Sequence, residues 1–354
     1  MSKSENRLKL NEVMPELADE VSSFFENIEQ TKKIEETIFV MVPSYRDKDL
    51  DNTLTDLYQK ATNPELLTVC VFDQSEHDGY VNFDKTNMHY IHTNYRNAKG
   101  ISHARNIIQN FYNNETYFLS IDSHMRFTSD WDMTLKRMYK QLKEQGLNPI
   151  ITNYACELVY GDEMDLYPEE VKNTYTQLEE PRPGGFRGSW IKSQPGYVDV
   201  EKYTVYDGKR SRKTLGETEN EFMFSPWCSL HFMFTEGMYN KRIKFDPDHY
   251  FSGDEYNMTL RTFTHGYDLL SPYQPVMYHH YRKDSFKNTP ANYIVDNKQW
   301  ADLDQKGIIK NKNLMTGEAA LSCPSYGIGS ERSVEDFLKY MKEKTQKSLS
   351  VDLD

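Results

Sequence analysis

Tyr117-Phe-Leu-Ser-Ile121-Asp122-Ser-His124-Met-Arg-Phe127 decides how this chain is read. The first five residues form a short apolar run of the kind that makes a buried strand, and the run ends on a carboxylate. Two residues further on, His124 lies on the same side of extended backbone as Asp122. A strand that delivers an acid and then an imidazole to one face supplies oxygen and nitrogen for a single divalent ion, Mn²⁺ or Mg²⁺. Taken alone, the pair also fits an ordinary strand-end cap and a satisfied histidine.

The same grammar repeats on both sides of this stretch. Upstream, Ile38-Phe-Val-Met-Val42 is a strand closed by Pro43-Ser-Tyr-Arg46, and residues 50–61 have helical spacing. Leu66–Phe72 is a second strand ending at Asp73, Met88–His92 is a weaker third, and 99–113 read as helix. Downstream, 131–145 read as helix and Pro149–Asn153 as a further strand. Apolar strands alternating with helices predict an α/β fold with a mainly parallel central sheet. Ligands of such sheets bind at the carboxyl ends of the strands, where Ser44, Arg46, Asp73, Asp122 and His124 stand.

Around this centre the chain changes character. Residues 1–36 predict an amphipathic helical extension packed on the outside, and 37–340 the main domain. Residues 160–222 break the alternation with repeated Pro and Gly, and read as a long irregular insertion. The polar tail, 341–354, is expected to fray.

The 354 residues suit one large or two modest domains. Aromatic residues make up 13%, with 25 Tyr, which excludes a disordered chain. No apolar run approaches the roughly 18 residues of a transmembrane helix, and no secretory leader is visible, so the expected setting is cytoplasm, that of a host if the source is viral. Cys70, Cys156, Cys228 and Cys323 form no metal or redox spacing and read as buried thiols. A net charge of −12 repels nucleic acid unless a local patch is basic.

Other residues join the Asp-x-His pair. Tyr278-His279-His280-Tyr281-Arg282 follows an apolar run; adjacent strand residues face opposite ways, so one histidine at most reaches a given ion, and Arg282 suits a phosphate. Phe251-Ser-Gly-Asp254-Glu255 opens an apparent helix with paired carboxylates. These are either helix-start acids or a working pair, one holding a substrate hydroxyl or taking a proton while the other orients it. Arg105 near a helix start suits a diphosphate or a carbonyl, with a surface arginine as the plain alternative.

In order along the chain, Pro43-Ser-Tyr-Arg-Asp47, Ala104-Arg105, Ile121-Asp-Ser-His-Met-Arg-Phe127 with Trp131-Asp132, Phe251-Ser-Gly-Asp-Glu255, Gly266-Tyr-Asp268, Tyr278-His279 and Tyr326-Gly-Ile-Gly-Ser-Glu-Arg332 resemble the GT-A glycosyltransferases of the polypeptide α-N-acetylglucosaminyltransferase family. That family includes enzymes that glycosylate hydroxyproline. The resemblance covers about 38–340 without the insertion. It implies a Rossmann-like GT-A fold and a UDP-sugar donor. It implies a metal site of Asp122, His124 and His279, with His280 as the fallback. Pro43, Ser44, Tyr45 and Arg46 would form the nucleotide-facing loop, with Asp73 and Arg105 flanking base and ribose. Asp254 and Glu255 would face the transferred sugar and the acceptor. It also implies a retaining reaction.

The insertion departs from the rest of the chain. Residues 182–213 carry eight basic and three acidic residues, a local +5 that leaves −17 elsewhere. Aromatic residues, Trp190 among them, are interleaved. Trp190, Lys209, Arg210, Arg212 and Lys213 are therefore candidate acceptor-binding residues: basic groups for phosphates, rings for bases. This favours a hydroxyl on DNA, such as 5-hydroxymethylcytosine of a phage, whereas the family resemblance favours a protein hydroxyl. A solvated loop that pairs with the acidic body remains the plain reading. A nucleotide-sugar-binding protein without catalysis and a metal-dependent nuclease are the readings from other classes.

Overall fold

A computed structural model describes residues 36–76, 87–157, 159–160, 165–166, 174–183, 206–214, 221–225, 227–280, 296–316, 324–343 and 348–350. The N-terminal helix expected over 1–36 falls almost entirely outside them. Backbone contacts divide the chain after Thr37, and the elements below belong to the unit that starts at Ile38.

The strands are β1 (Ile38–Tyr45), β2 (Leu67–Ser75), β3 (Met88–Asn94), β4 (Tyr117–Ile121), β5 (Met125–Phe127), β6 (Pro149–Thr152), β7 (Cys156–Glu157), β8 (Val159–Tyr160), β9 (Asp165–Leu166), β10 (Thr174–Pro183), β11 (Tyr206–Thr214), β12 (Glu221–Phe224), β13 (Phe232–Glu236), β14 (Asp268–Ser271), β15 (Met277–His279) and β16 (Ser348–Ser350). The helices are α1 (Leu50–Gln59), α2 (Ile101–Ile108), α3 (Trp131–Glu144), α4 (Tyr239–Arg242), α5 (Asp254–Thr264), α6 (Trp300–Thr316) and α7 (Val334–Glu343).

Nine strands form the central sheet in the order β16-β12-β14-β6-β13-β4-β1-β2-β3. Seven point the same way; β13 and β12 run against them. The sheet is thus mainly parallel in direction, as the alternation of strands and helices predicts. Period-2 alternation sends side chains to two cores. Ile38, Val40 and Val42 of β1 join Trp131, Leu135 and Met138 of α3 on one face. Phe39 and Met41 join Ala104 and Ile108 of α2 on the other. Cys70 and Cys228 are buried free thiols, as expected.

Three features depart from the expectations. The antiparallel β13 wedges between β4 and β6; its run Phe232-Met-Phe looks like any other buried strand, because direction leaves no mark on apolar pattern. Within the stretch expected to be irregular, β10 and β11 pair as an antiparallel ribbon with a register shift between Leu178 and Glu180. Pro181, Pro183 and Gly208 hide it in the sequence. In the tail expected to fray, β16 adds to the sheet edge beside β12, with Leu349 packed on the core.

The candidate active site

Parallel β1, β2 and β4 bring their carboxyl ends to one edge, and the register sets Ser44 opposite Asp73. Asp122 follows β4 directly. The turn after it is clamped by Thr53 of α1, whose hydroxyl donates to the Ser123 carbonyl (2.8 Å) and accepts the Met125 amide (2.9 Å). Arg126, almost fully buried, grips both oxygens of Asp49 at 2.8 and 3.0 Å. The particular string Asp-Ser-His-Met-Arg-Phe is therefore a locked turn with two outward-facing groups.

A small second sheet completes the site. In it β15 pairs antiparallel with β5, setting His279 opposite Met125, and the His280 amide donates to the His124 carbonyl. This register carries the distal histidine to the strand-end acid. His279 Nε2 lies 3.2 Å from Asp122 Oδ2, and His124 Nε2 lies 3.9 Å from the same oxygen. The His124 and His279 rings meet edge-on with centroids 4.7 Å apart.

One carboxylate oxygen and imidazole nitrogens at these separations suit two or three ligands of a single first-row divalent ion. Burial alone would push the Asp122 carboxyl up, but the hydrogen bond from His279 and the fields of His124, His279 and His231 outweigh it and hold the group well below the usual carboxylate range. Burial, ahead of the opposing pull of Asp122, lowers the His279 imidazole, which favours the neutral ring a ligand requires.

His231 also comes within reach: ligand atoms of Asp122, His231 and His279 all lie within 4.8 Å of one another. Sequence reading passed it over as part of an apolar run. The signal is topological, since it precedes β13, whose Phe232 pairs with Ile121 next to Asp122. Its Nε2 accepts the Ala155 amide at 3.2 Å and its Nδ1 meets the Ser229 hydroxyl at 2.9 Å. With both nitrogens in use, His231 buttresses His279, their ring centroids 4.4 Å apart.

Behind the first strand, Asp47 was quoted in the Pro-Ser-Tyr-Arg-Asp motif without a role. Its Oδ2 meets His124 Nδ1 at 2.6 Å and accepts the Ser123 hydroxyl at 2.7 Å, and its Oδ1 accepts the Asp49 amide at 3.0 Å.

The loop after β1 is tied to a residue the sequence did not single out. The Asp296 carboxylate accepts two hydrogen bonds from Arg46 (2.9 and 2.7 Å) and one from the Tyr45 hydroxyl (2.9 Å). Arg46 also lies over the Tyr95 ring. Burial, then the bond to Asp296, raises the Tyr45 hydroxyl above its ordinary value. Below this loop, Asp73 Oδ2 accepts from Ser75 (2.8 Å) and Tyr90 (2.7 Å), while its buried Oδ1 and the buried Ser44 hydroxyl meet no protein partner among the described residues. Buried polar atoms left this way call for a ligand or water. Pro43 precedes Ser44 within β1, opposite Phe72.

Gly100 opens α2 at φ 108°, and a Cβ there would meet the Tyr250 carbonyl oxygen at 2.4 Å. This close approach aims Arg105 inward. Its guanidinium forks, 2.8 Å to Asp254 and 3.5 Å to Asp122, and so links the strand-end acid to the first turn of α5. The adjacent Glu255 is enclosed. It accepts from the Tyr154 hydroxyl (2.9 Å), the Trp227 indole (3.2 Å), the Leu230 amide (3.3 Å) and the Ser229 hydroxyl (3.5 Å).

Thus Asp122, His124, His279, Arg105 and Asp254 are brought together, and Ser44, Tyr45, Arg46 and Asp73 share the neighbouring strand ends. His280 follows β15 directly and is buried, its amide held by the His124 carbonyl. Trp190 and Arg282 lie outside the described residues. Lys209, Arg210, Arg212 and Lys213 lie on β11, described by its backbone alone.

Among known proteins, the model of a family described as Glycosyltransferase (GlcNAc) matches residues 37–80 and 76–347. No curated protein matches the chain. A crystal structure of GalNAc-T7 with UDP, GalNAc and Mn²⁺ is similar at 15% identity and a TM-score of 0.52, over 87% of this chain; the chain spans 57% of that structure's length. S. aureus TarS 1–349 in complex with UDP-GlcNAc aligns at 14% identity and a TM-score of 0.38, over 82% of this chain and 74% of TarS.

Proposed function

The chain belongs to the glycosyltransferase (GlcNAc) family and has the GT-A fold, and we propose that it transfers a sugar from a UDP-sugar to a hydroxyl group on a macromolecule. The observation that carries the reading is the meeting of Asp122, His124 and His279 at the carboxyl end of β4, beside strand ends that hold buried, unmatched polar atoms. Asp122, His124 and His279 would hold Mn²⁺ or Mg²⁺. Such an ion, when bound, stabilises the negative charge that develops on a departing diphosphate.

The residues divide the remaining work. Ser44 and Asp73 offer a hydroxyl and a carboxylate oxygen to the nucleoside, while Tyr45 and Arg46 wall that side of it. Arg105, 2.8 Å from Asp254, orients that carboxylate toward a sugar hydroxyl. Glu255, enclosed by its donors, is the orienting member of the pair: it holds Trp227 and Tyr154 in place. The acceptor oxygen bonds to the anomeric carbon as the carbon–oxygen bond to UDP breaks, and the acceptor's proton leaves with the UDP oxygen; a retaining outcome has the acceptor enter on the face the UDP leaves.

For the acceptor, the basic and aromatic insertion favours DNA carrying 5-hydroxymethylcytosine, with a phage enzyme as the setting. Lys209, Arg210, Arg212 and Lys213 follow one another closely along β11, a concentration of positive charge that suits a phosphate backbone. The second reading, a hydroxyproline, Ser or Thr of a protein, follows from the resemblance to the hydroxyproline transferases.

The test is transfer with Mn²⁺, a panel of UDP-sugars, and hydroxymethylated DNA beside unmodified DNA and hydroxyproline peptides. A hexose or N-acetylhexosamine mass shift on hydroxymethylated DNA alone is expected, with steep inhibition by salt and loss of DNA binding when Arg210, Arg212 and Lys213 are reversed to Glu. Transfer to peptide that ignores those reversals would move the acceptor to protein.

A further inference from the structure

Arg46 is one of three non-glycine residues at positive φ among the described residues, with φ 48°. Side chains adopt this region reluctantly, and where one does at a site the strain usually serves a purpose. The amide of Arg46 is held by the Gln74 carbonyl at 3.0 Å, so the turn is anchored to the neighbouring strand. Its consequence is that two successive side chains serve two places. Arg46 goes to Asp296 and the Tyr95 ring. Asp47 goes the other way, inward, and is buried beneath the Asp-x-His turn.

There its contacts are specific. Oδ1 accepts the Asp49 amide, which sets the plane of the carboxylate. Oδ2 takes the Ser123 hydroxyl and faces His124 Nδ1 at 2.6 Å. A carboxylate on Nδ1 holds that nitrogen in its protonated form, leaves the lone pair on Nε2, and makes Nε2 a better base. Nε2 is the atom that faces Asp122. We propose that Asp47 is the positioning residue of the metal site: it selects the tautomer and ring orientation with which His124 binds the ion, and the left-handed turn at Arg46 exists to deliver it there. The nucleotide loop and the metal histidine are then set by one strand end, so residues 45–47 align both. The proposal rests on the reading of Asp122, His124 and His279 as metal ligands.

The test titrates Mn²⁺ alone into the full-length chain, with free ion followed by electron paramagnetic resonance, for wild type and for His124→Ala, Asp47→Ala, Asp47→Asn and Ser123→Ala. Outer carboxylates of this kind are worth about 10- to 100-fold in metal affinity. Asp47→Ala should fall at the upper end of that range. Asp47→Asn, whose amide oxygen still accepts from Nδ1, should fall at the lower end. Ser123→Ala shares the same carboxylate oxygen without ligating, and should stay within about twofold. Nitrogen-15 spectra of the metal-free protein should show His124 as the Nδ1–H tautomer in wild type and as a mixture in Asp47→Ala.

Loss of Mn²⁺ in His124→Ala with wild-type affinity in both Asp47 variants would overturn the proposal and leave the metal site standing. Wild-type affinity in His124→Ala, or no Mn²⁺ binding by wild type, would overturn the metal reading and the proposal with it. If Asp47→Ala does not fold, Asp47→Asn decides: unchanged affinity and unchanged tautomer contradict the positioning role.

Discussion

The carboxyl end of β4 and the first turn of α5 each present a pair of polar residues near Arg105, and they are built in opposite ways. At β4, Asp122 keeps about a quarter of its side chain exposed and shares its oxygens with His279 and Arg105 at 3.2 and 3.5 Å, long contacts for ionic partners. At α5, Glu255 is buried and receives four hydrogen bonds from Tyr154, Trp227, Leu230 and Ser229. Asp254 stands between the two, bound to the arginine that also reaches Asp122. A carboxylate with loose partners has capacity left for a ligand. A carboxylate saturated by the protein is scaffolding, even beside one that is not.

That contrast can be broken by substitution. Asp122→Asn should lower transferase turnover roughly 100- to 1000-fold, the usual cost of losing one preorganised charge partner. Its melting temperature should fall by less than that of Glu255→Gln, because the charge pairing with His279 is lost from a side chain that stays partly exposed. A large fall in stability would make Asp122 scaffolding too.

A second comparison lies beneath α6. His249 is buried, with neither ring nitrogen partnered among the described residues, against Gly307 of that helix. Burial, helped by the fields of Lys310 and Arg261 and opposed by those of Asp246 and Asp248, pushes its imidazole down to about 4. The unfolded ring titrates near 6.5, so the unfolded chain binds the proton first. Stability is then complete above pH ~6.5 and declines as the pH falls toward 4, by on the order of 3 kcal/mol. Denaturant midpoints against pH should show this slope, and His249→Phe should flatten it. An equal slope in the variant would place the acid sensitivity elsewhere.

Glu255→Gln should have the smallest effect on rate. It keeps shape but turns an amide donor toward donors, costing about 1–3 kcal/mol of stability, while turnover falls less than for Asp122→Asn. The reverse order in turnover would make Glu255 the working carboxylate.

Much of this was legible in the sequence for a physical reason. Strands buried on both faces announce themselves, so β1, β2 and β4 and the helices between them fall where the apolar pattern puts them, and their ends locate Ser44, Asp73 and Asp122. What the pattern lacks is pairing. His231, Asp47, Trp227 and Asp296 reach the site through β13 against β4, a left-handed turn, the loop before β13 and the approach to α6. Each is a tertiary arrangement with no local periodicity. His279 was found because it sits in a motif; the antiparallel β5–β15 pairing that sets it opposite Met125 was not visible. The ribbon of β10 and β11 was masked by its own Pro and Gly.

The central claim is that Asp122, His124 and His279 form one metal-dependent donor site. Its most direct test is UDP release from UDP-sugars by wild type, His279→Ala and His280→Ala, with Mn²⁺ and with chelator. The account predicts release from at least one donor with Mn²⁺ alone, lost in His279→Ala and retained in His280→Ala. Release that persists in chelator, or in His279→Ala with Mn²⁺, would contradict it, and release from no donor would put a non-catalytic nucleotide-sugar-binding role first.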